Sequence, residues 1–482
     1  MTPPHNADNR GVFVDADGVK RRTILAGAAW SIPVISVATT APAFAATTDL
    51  KLAFDKSSYS GTGCGTITGV KVTATRNGVA AAGESVTVTL ADGYTFSDGS
   101  TSYTATTGSD GSITLPDIKV PSEGGSSSFS ASGGGASASA SVSSTASDTT
   151  GLYVYNTGSW ETTGPVANSK DATNVVGDPA STALIFQTSD GVLRGSGGTA
   201  IPGTESGVNT SRDLLAVRRV NGQDQVWYKK SDGLYYYNAS TGTTTGPVAN
   251  SKDAVKIVAI PGYSALVFQN SDGSIHGDDG TLQTGTSSGV DTGAGLLAIR
   301  TVNGGDQVWY KKSDGLYYFN PRTGTTTGPV ANSKNAVRIV ADPSSDSLIF
   351  QNSDGSLHGE SGGLISGTAN GVETGAGLVA IRNLNGTTEV WYKKSDGLYV
   401  YNANTGATSG PVANSENATQ VVATAGKDSI VFQNSDGSIR GSDGSLTSGT
   451  ATGVSTGAGL VALRQSISSG NEVWYKKSPA CS

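Results

Sequence analysis

The sequence has few of the features that helical and nucleic-acid-binding proteins require. Methionine occurs once in 482 residues and other helix formers are sparse, whereas glycine contributes 66 residues. Val, Thr and Tyr fill short runs bounded by Gly, Asn and Asp, and this arrangement predicts an all-β protein with more than one domain. The formal charge is −7 and there is no basic tail, so we expect no nucleic-acid partner.

Long apolar runs are also scarce. The one candidate is the mildly apolar stretch 24–38, which follows Lys20-Arg21-Arg22 and is interrupted by Pro33. This order resembles a twin-arginine export signal, although Lys20 stands where Ser or Thr is usual. A general secretory signal is the alternative. A membrane anchor is not expected, because the stretch is short and is broken by Pro33 and several hydroxyl residues.

A cleavage signal follows the apolar stretch. Ala43-Phe44-Ala45 has the small-x-small pattern of a signal peptidase site. We predict that residues 1–45 are an export signal, cleaved between Ala45 and Ala46. The mature chain is then expected to be secreted, in the extracellular space or at the cell surface, without membrane insertion.

Residues 46–144 contain seven short strand-like runs, separated by turns rich in Gly, Asp and Asn. Seven strands in about 100 residues is the size of an immunoglobulin-like sandwich. The segments VKVTATRNGVAAAGESVTVTL, TGSDGSITLPDI and SFSASGGGASASASVS resemble bacterial Ig-like domains of the invasin type, which implies a spacer or adhesive module. The Cys…Trp…Cys pattern of antibody domains is absent. Residues 145–150 are predicted to be a linker.

The remaining residues, 151–482, form a repeat array. The hexapeptide GPVANS begins at Gly164, Gly246, Gly328 and Gly410, an interval of 82 residues, and each interval divides into two related halves of about 41 residues. Each half contains four short predicted strands joined by turns, which is the pattern of one propeller blade. The array therefore predicts an eight-bladed β-propeller built from four double repeats.

The two ends of the array each supply half a blade. The motif VWYKKS begins at Val226, Val308 and Val390, where it continues into DGLY, and it recurs at Val473 without this continuation. The missing half matches GLYVYN at Gly151. We therefore predict that the last strands of the chain pair with the first strands of the array. This pairing would close the ring and remove free sheet edges.

Cysteine is restricted to Cys64 and Cys481. An even count in an exported protein predicts a disulfide, with two unpaired thiols as the alternative. Ring closure would bring the end of the chain beside Gly151, where the Ig-like domain is attached. A bridge between Cys64 and Cys481 would therefore hold the closing strands of the ring in place and fix the orientation of the two domains.

Three sets of repeated residues are candidates for function. Ser-Asp-Gly turns contain Asp190, Asp232, Asp272, Asp314, Asp354, Asp396 and Asp436; we interpret them as strand-connecting turns, with calcium binding as the alternative. Arg194, His276, His358 and Arg440 occupy one equivalent position and predict a repeated contact for an anion or a glycan carboxylate, with hydrogen bonding between blades as the alternative. Trp227, Trp309, Trp391 and Trp474 are candidates for stacking on sugar, with burial between blades as the alternative.

Catalytic patterns are missing: no Ser-His-Asp, zinc-binding or phosphate-loop arrangement occurs, so we predict neither an enzyme nor a cofactor. The order of apolar strand, Ser-Asp-Gly turn and aromatic strand resembles tectonin- and tachylectin-type lectins, over the array only. That resemblance implies a multivalent glycan-binding propeller, with the Ig-like domain as a spacer, in a monomeric exported adhesion protein. One alternative is a structural surface or matrix protein without a specific ligand. The other is a secreted polysaccharide-degrading enzyme that uses Asp291 and Glu373.

Overall fold

The computed structural model describes residues 50–147, 149–178, 181–260, 262–342, 346–423, 429–466, 470–478 and 481. The predicted export signal and its cleavage site at Ala45 and Ala46 lie outside these residues. Regular structure in the described part is β-strand apart from one turn of 3-10 helix at Arg212–Leu214, so the chain is all-β, as predicted. No helix in that part is long and apolar enough to span a bilayer.

The N-terminal region, residues 50–147, has a core between short strands. Its described strands are β1 (Leu50–Phe54), β2 (Ser58–Thr62), β3 (Thr66–Ile67), β4 (Lys71–Arg76), β5 (Val79–Ala80), β6 (Ser85–Thr89), β7 (Thr95–Phe96), β8 (Ser102–Thr106), β9 (Ser112–Thr114), β10 (Ile118–Lys119), β11 (Gly125–Gly133) and β12 (Ala136–Thr145). They form sheets in the orders β1-β4-β5 with β9 on β4, β3-β10-β7, and β2-β12-β11-β6-β8. Alternate residues of β4 and β6 are buried, and Val72, Val86 and Phe129 are fully enclosed in one core.

The array, residues 149–478, contains the remaining strands. Its first half comprises β13 (Gly151–Asn156), β14 (Glu161–Thr163), β15 (Ala172–Gly177), β16 (Leu184–Thr188), β17 (Leu193–Gly195), β18 (Leu215–Val220), β19 (Gln223–Lys230), β20 (Gly233–Asn238), β21 (Thr243–Thr245), β22 (Ala254–Ala259), β23 (Leu266–Asn270), β24 (Ile275–Gly277), β25 (Leu297–Val302) and β26 (Gly305–Lys312). Its second half comprises β27 (Gly315–Asn320), β28 (Thr325–Thr327), β29 (Ala336–Ala341), β30 (Leu348–Asn352), β31 (Leu357–Gly359), β32 (Val379–Leu384), β33 (Thr387–Lys394), β34 (Gly397–Asn402), β35 (Thr408–Ser409), β36 (Ala418–Ala423), β37 (Ile430–Asn434), β38 (Ile439–Gly441), β39 (Val461–Gln465) and β40 (Asn471–Lys477).

These strands form antiparallel sheets that alternate between four strands and three. The four-stranded sheets are β14-β13-β40-β39, β18 to β21, β25 to β28 and β32 to β35, and the three-stranded sheets are β15 to β17, β22 to β24, β29 to β31 and β36 to β38. First strands of successive sheets contact one another from β15 through β18, β22, β25, β29, β32 and β36 to β39, which contacts β15 again. The sheets therefore form a closed ring, and the array is a β-propeller.

Both ends of the array contribute to the closing sheet, β14-β13-β40-β39. Strand β13 pairs with β40 over six residues, from Gly151 opposite Lys477 to Asn156 opposite Glu472. The Thr157 hydroxyl extends this ladder by donating to the Asn471 carbonyl and accepting from the Asn471 N–H. Strand β40 is paired on both sides, by β13 and β39, so the ring has no free sheet edge at this point.

Each sheet packs between two neighbours, so side chains on both of its faces are buried. All five residues of β23, the central strand of a three-stranded sheet, are buried, so both faces of this strand are covered. Phe268 packs with Trp227 of the preceding sheet, whereas Val267 packs with Ile299 of the following sheet. This two-sided burial explains why the strands are continuous apolar runs and do not alternate with polar residues.

Each four-stranded sheet buries one arginine on its first strand. The four arginines are 5–7% exposed, and each guanidinium carbon lies 4.9–5.2 Å from the ring centroid of the tryptophan in the same sheet. The arginine Nε and the indole N–H donate to one shared oxygen, on the side chain two residues before the tryptophan. The sets are Arg218 with Gln225, Arg300 with Gln307, Arg382 with Glu389, and Arg464 with Glu472.

A carboxylate accompanies each buried arginine, and the repeats supply it from either of two positions. Arg300 has Gln307 on the strand, and its ion pair is with Glu360, in the hairpin after the third strand of the next sheet. In the following double repeat the strand position is Glu389, which forms the ion pair itself, and the hairpin position is Ser442. Because a buried guanidinium without a carboxylate is costly, the two positions compensate for one another. Arg218 pairs with Asp278 in the first way, and Arg464 pairs with Glu472 in the second.

Glu389→Gln should lower the free energy of unfolding by on the order of 2–4 kcal/mol, because it removes the carboxylate beside a buried guanidinium. Adding Ser442→Glu should restore much of this loss, since the double change reproduces the arrangement of Gln307 and Glu360. Urea denaturation of the wild type, both single variants and the double variant measures these effects. A double variant no more stable than Glu389→Gln would show that the two positions do not compensate.

The N-terminal region and the array meet at a covalent and hydrogen-bonded junction. Cys64 and Cys481 form a disulfide with their Cα atoms 4.9 Å apart, which confirms the predicted bridge. Beside it, the Glu123 carboxylate accepts hydrogen bonds from the hydroxyls of Ser455 at 2.8 Å and Ser478 at 2.7 Å, both in the array. Burial acts to raise the pKa of Glu123, but the two hydroxyls and a nearby lysine outweigh it and hold the pKa below its ordinary value.

Cys481→Ser should reduce the free energy of unfolding by about 3–5 kcal/mol, which is less than the ~6 kcal/mol that the chain-entropy model gives for so long a loop, because measured disulfides usually deliver less than that model. The bridge joins residues 417 positions apart, so its loss releases most of the mature chain in the unfolded state. Thermal and urea denaturation of the exported protein measure the change, and the double variant Cys64→Ser/Cys481→Ser should match the single variant. Titration of the denatured wild type should find no free thiol; two reactive thiols per chain would contradict the bridge.

Candidate functional site

Loops and turns of the ring meet at one end of the sheets. Because antiparallel strands alternate in direction, the loops between successive sheets and the turns between second and third strands leave the same end, which we call the groove face. There Asn250 of a GPVANS loop adopts φ 56°, and its Nδ2 donates to the Gly280 carbonyl oxygen of the next sheet at 3.1 Å. The same bond joins Asn168 to Gly198, Asn332 to Gly362, and Asn414 to Gly444.

Two cavities on the groove face have equivalent walls. One has a volume of about 510 Å³ and is lined by the loop 165–171, the turn 188–190 and Arg194. The other has a volume of about 490 Å³ and is lined by residues that include Asn250, Lys252, Asp253, Asn270, Asp272 and His276. Both are bounded by a GPVANS loop, a Ser-Asp-Gly turn and a basic side chain from the third strand. The cavity is therefore a property of the repeat, and its walls combine amide, hydroxyl and charged groups with apolar side chains such as Leu282.

The four basic residues that were predicted as a repeated contact lie at equivalent positions and support the hairpin beside each cavity. The buried His276 ring stacks on Phe268 with centroids 5.2 Å apart, and its Nδ1 lies 2.9 Å from the Gly280 carbonyl oxygen. This is the carbonyl that also accepts from Asn250, so both side chains fix one hairpin. Equivalent contacts join His358 to Gly362, Arg194 to Gly198, and Arg440 to Gly444.

A serine, a histidine and an aspartate lie together in the wall of the second cavity. Ser274 Oγ is 2.6 Å from Asp272 Oδ1 and 3.0 Å from His276 Nε2. A serine nucleophile requires the histidine to lie between the serine and the acid. Here the serine lies between the other two, and the second ring nitrogen faces a backbone carbonyl. The arrangement is therefore a hydrogen-bonded wall and does not activate the hydroxyl for attack.

An unpaired amide oxygen in this wall was not predicted from the sequence. Asn270 is 8% exposed, and its Nδ2 donates to the Asn250 carbonyl oxygen at 3.0 Å and to Ser274 Oγ at 3.3 Å. Its Oδ1 accepts no hydrogen bond from any described residue. Buried polar atoms are nearly always paired, so this enclosed oxygen is an unsatisfied acceptor within the wall. Asn352 and Asn434 have the same unpaired oxygen, while Thr188 occupies the equivalent position in the first double repeat.

The four tryptophans that were considered as sugar platforms lie in the core of the ring. Trp227, Trp309, Trp391 and Trp474 are at most 2% exposed. Trp227 stacks on Tyr236 with centroids 4.9 Å apart and also lies against the guanidinium of Arg218. The indole rings present no face to solvent, as in the burial alternative.

Asp291 and Glu373, the carboxylates of the enzyme alternative, lie at equivalent positions in different double repeats. Each faces its own lysine, with Glu373 2.9 Å from Lys393 and Asp291 3.9 Å from Lys311. A four-stranded sheet and a three-stranded sheet lie between the two loops, so the fold does not bring these carboxylates together as an acid and base pair. In the part of the chain that the structure describes, no three His, Cys, Asp or Glu side chains are grouped to hold a metal.

Comparison with known proteins gives no family for this chain. No family model matches it, and neither does any curated protein. Similar solved structures include BamB from Moraxella catarrhalis, which is 16% identical over 55% of this chain and 81% of that one, with a TM-score of 0.36. Sqt1 from Saccharomyces cerevisiae is 11% identical over 64% of this chain and 96% of that one, with a TM-score of 0.44. The extracellular domain of BT4673 from B. thetaiotaomicron is 14% identical, with a TM-score of 0.35, and the match covers 57% of this chain and 38% of that one.

The Ser-Asp-Gly turns should keep the groove face anionic in mild acid. The Ser274 hydroxyl and then its backbone N–H bond to Asp272 and lower the pKa of that carboxyl below its ordinary 3.8. Because the pKa of Asp272 is lower in the folded than in the unfolded protein, the ionised carboxylate stabilises the fold. This contribution is fully present above pH 3.8 and is lost as the pH falls through the pKa of the folded state. Ser274→Ala should raise the pKa of Asp272 toward 3.8, because it removes the stronger bond. Carboxyl NMR titration of both proteins measures this, and equal pKa values would contradict the assignment.

Proposed function

We propose that this protein is an exported glycan-binding or adhesion protein. In this proposal the eight sheets of the ring are the blades of a lectin-type propeller, and the N-terminal region is an immunoglobulin-like spacer. The groove face is the recognition surface, and the partner is an extracellular or cell-surface polysaccharide. The chain acts as a monomer, without catalysis and without a cofactor.

The recurring cavity of the groove face is the observation that supports glycan binding. A sugar hydroxyl is both a donor and an acceptor, so it needs walls that offer both. The Asp272 carboxylate is an acceptor in this wall, and the neighbouring Lys252 is a donor. A volume of about 490 Å³ is in the range of small-molecule sites, and polar groups beside one aliphatic side chain, Leu282, suit a sugar better than a purely apolar ligand.

Repetition of the cavity supports binding to a polymer. Four double repeats place up to four such grooves around one rigid ring. An open polar groove binds a single sugar weakly, but several grooves engaged by one chain of sugars gain affinity through effective concentration. A polysaccharide with a regular repeat is therefore the ligand class that fits best.

Export is supported by the disulfide and by the predicted signal. The Cys64–Cys481 bridge is of the kind that persists in oxidising compartments, where a chain with the export signal 1–45 would function. The N-terminal region lies beside the groove face, since Thr150, which lines the first cavity, donates to the Ser122 carbonyl oxygen of that region. A spacer at this position could present the ring to a surface-bound polymer.

Calorimetric titration of the exported protein with extracellular polysaccharides and their constituent monosaccharides tests this proposal. We expect up to four monosaccharides per chain on the groove face, one for each double repeat, with dissociation constants in the millimolar range. The polymer should bind about 10²–10⁴ times more tightly, through avidity. One ligand per chain, with no preference for polymer, would overturn the multivalent proposal.

Exchange between repeats provides matched variants for the same titration. Asn270→Thr copies the residue at position 188 and should weaken one site while the fold is retained. Thr188→Asn should strengthen the site of the first double repeat. If no polysaccharide binds saturably to any of these proteins, the structural matrix alternative is favoured over glycan recognition.

A further inference from the structure

One tryptophan interrupts the repeat on the end of the ring opposite the groove face. Trp160 lies in the hairpin between β13 and β14, at the position held by Gly242, Gly324 and Gly406 in the other four-stranded sheets. Those glycines have φ of 65–70°, and Trp160 has φ of 62°. Its backbone N–H donates to the Asn156 carbonyl at 2.9 Å, as the glycine N–H does in the other hairpins. The turn is thus unchanged, and a tryptophan adopts a left-handed conformation that suits glycine.

Neither the turn nor the core accounts for this side chain. Positive φ is unfavourable for a bulky residue, and Trp160 is 75% exposed, so it gains little from burial. The other tryptophans that the structure describes are at most 2% exposed. A strained backbone that presents a large indole to solvent is a feature from which function can be inferred.

Trp160 is part of the lining of a cavity of about 330 Å³ between the closing sheet and the sheet β36 to β38. Leu446 also lines this cavity and is 44% exposed. The buried part is apolar, with Tyr155, Ile430, Leu463 and Val473. Polar groups complete the lining, and they include Thr157, Ser445 and the Asp443 carboxylate. The site therefore combines an exposed aromatic ring and an aliphatic side chain with hydroxyl and carboxylate groups.

An equivalent cavity elsewhere in the ring lacks the two exposed apolar groups. It lies between the sheet β15 to β17 and the sheet β18 to β21 and has a volume of about 310 Å³. Ala200 occupies the position of Leu446, and Gly242 occupies the position of Trp160. The cavity is thus a general consequence of the repeat. Leu282 and Leu364 share the position of Leu446 and are similarly exposed, so the feature that is particular to the closing sheet is the indole.

We propose that Trp160 is the stacking platform of a single sugar site, which takes one pyranose ring at the closing sheet. A pyranose has a face of C–H groups that packs on an indole, and hydroxyls around its edge that bond to polar side chains. Trp160 and Leu446 contact the C–H face, while Asp443, Ser445 and Thr157 bond to the hydroxyls. This inference rests on the proposed glycan-binding function and adds a site on the opposite end of the ring from the grooves.

Quenching of tryptophan fluorescence by iodide tests the site directly, because Trp160 is the exposed tryptophan of the described chain. The exported protein, which no longer contains Trp30, is titrated with methyl glucopyranoside, methyl galactopyranoside and N-acetylglucosamine, and with cyclohexanol as an apolar probe. At least one sugar should protect the exposed tryptophan in a saturable way. In Trp160→Gly this protection should be lost, and affinity at this site should fall by ~10-fold or more. The variant should fold, since three sheets of the same ring have glycine at this position.

A transplant provides the matched gain of function. Ala200→Leu/Gly242→Trp puts the same pair on the equivalent cavity, and in a Trp160→Gly background it should restore saturable protection by the same sugar. Protection by cyclohexanol but by no sugar would overturn the proposal in favour of an apolar ligand, and no protection by any probe would also overturn it.

The two proposals fail separately. Polymer binding that survives in Trp160→Gly, without sugar protection of the wild type, would refute the single site while the grooves remain supported. Sugar protection of Trp160 without multivalent polymer binding would support this site and refute the proposed function of the groove face.

Discussion

The pairing of β13 with β40 is the constraint on which the rest of the ring depends. Every other sheet of the array is made from one continuous segment, so it could form without the others. The closing sheet alone needs both ends, and only its formation gives the sheets β15 to β17 and β36 to β38 a second neighbour. The apolar faces of these two sheets, with residues such as Phe186 and Val431, are therefore buried only in a closed ring.

Several features that do not repeat are concentrated at this closing sheet. The disulfide follows β40, the Glu123 contacts reach Ser455 and Ser478 beside it, and Trp160 lies in its outer hairpin. The first half of this sheet is adjacent in sequence to the N-terminal region, and the second half ends the chain. The closing sheet therefore differs from the other sheets of the ring in its covalent link, in its contacts with the N-terminal region and in its exposed side chains.

Charge links the sheets in pairs around the ring. Each buried arginine lies on a four-stranded sheet, and three of them, Arg218, Arg300 and Arg464, donate to a backbone carbonyl in the three-stranded sheet that follows. Apolar packing allows neighbouring sheets to slide relative to one another. A guanidinium that contacts a carboxylate, an indole and a backbone carbonyl at fixed positions allows only one register between the sheets. These arginines therefore specify how one sheet sits on the next, in addition to the burial that holds the sheets together.

Sequence periodicity was sufficient to predict the all-β class, the propeller and the disulfide. The 82-residue period and the divided VWYKKS motif determine which segments are equivalent and which ends must meet. The N-terminal region was less predictable: strands of two residues, such as Thr66–Ile67, have too few residues to show alternation and are defined by their partners.

The groove was predictable in its position but not in its chemistry. Recurrence in the sequence identifies His276 and the Ser-Asp-Gly turn. Only the three-dimensional contacts show that the imidazole of His276 stacks on Phe268 and lies against the Gly280 carbonyl oxygen. The repeated FQN of the second strand identifies Asn270, but no pattern in sequence reveals which of its atoms lacks a partner. The unusual position of Trp160 can be found from the sequence, because in an alignment of the four hairpins it occupies the position that is glycine in the other three.

The two sources of carboxylate for the buried arginines also define an order in which the repeats can diverge. A repeat that exchanges the strand glutamate for glutamine first must pass through a state with an uncompensated buried charge. A repeat that gains the hairpin carboxylate first does not, because Asp278 and Glu360 are half exposed and an extra charge there remains hydrated. Change between the two arrangements, in either direction, should therefore run through intermediates with two acids.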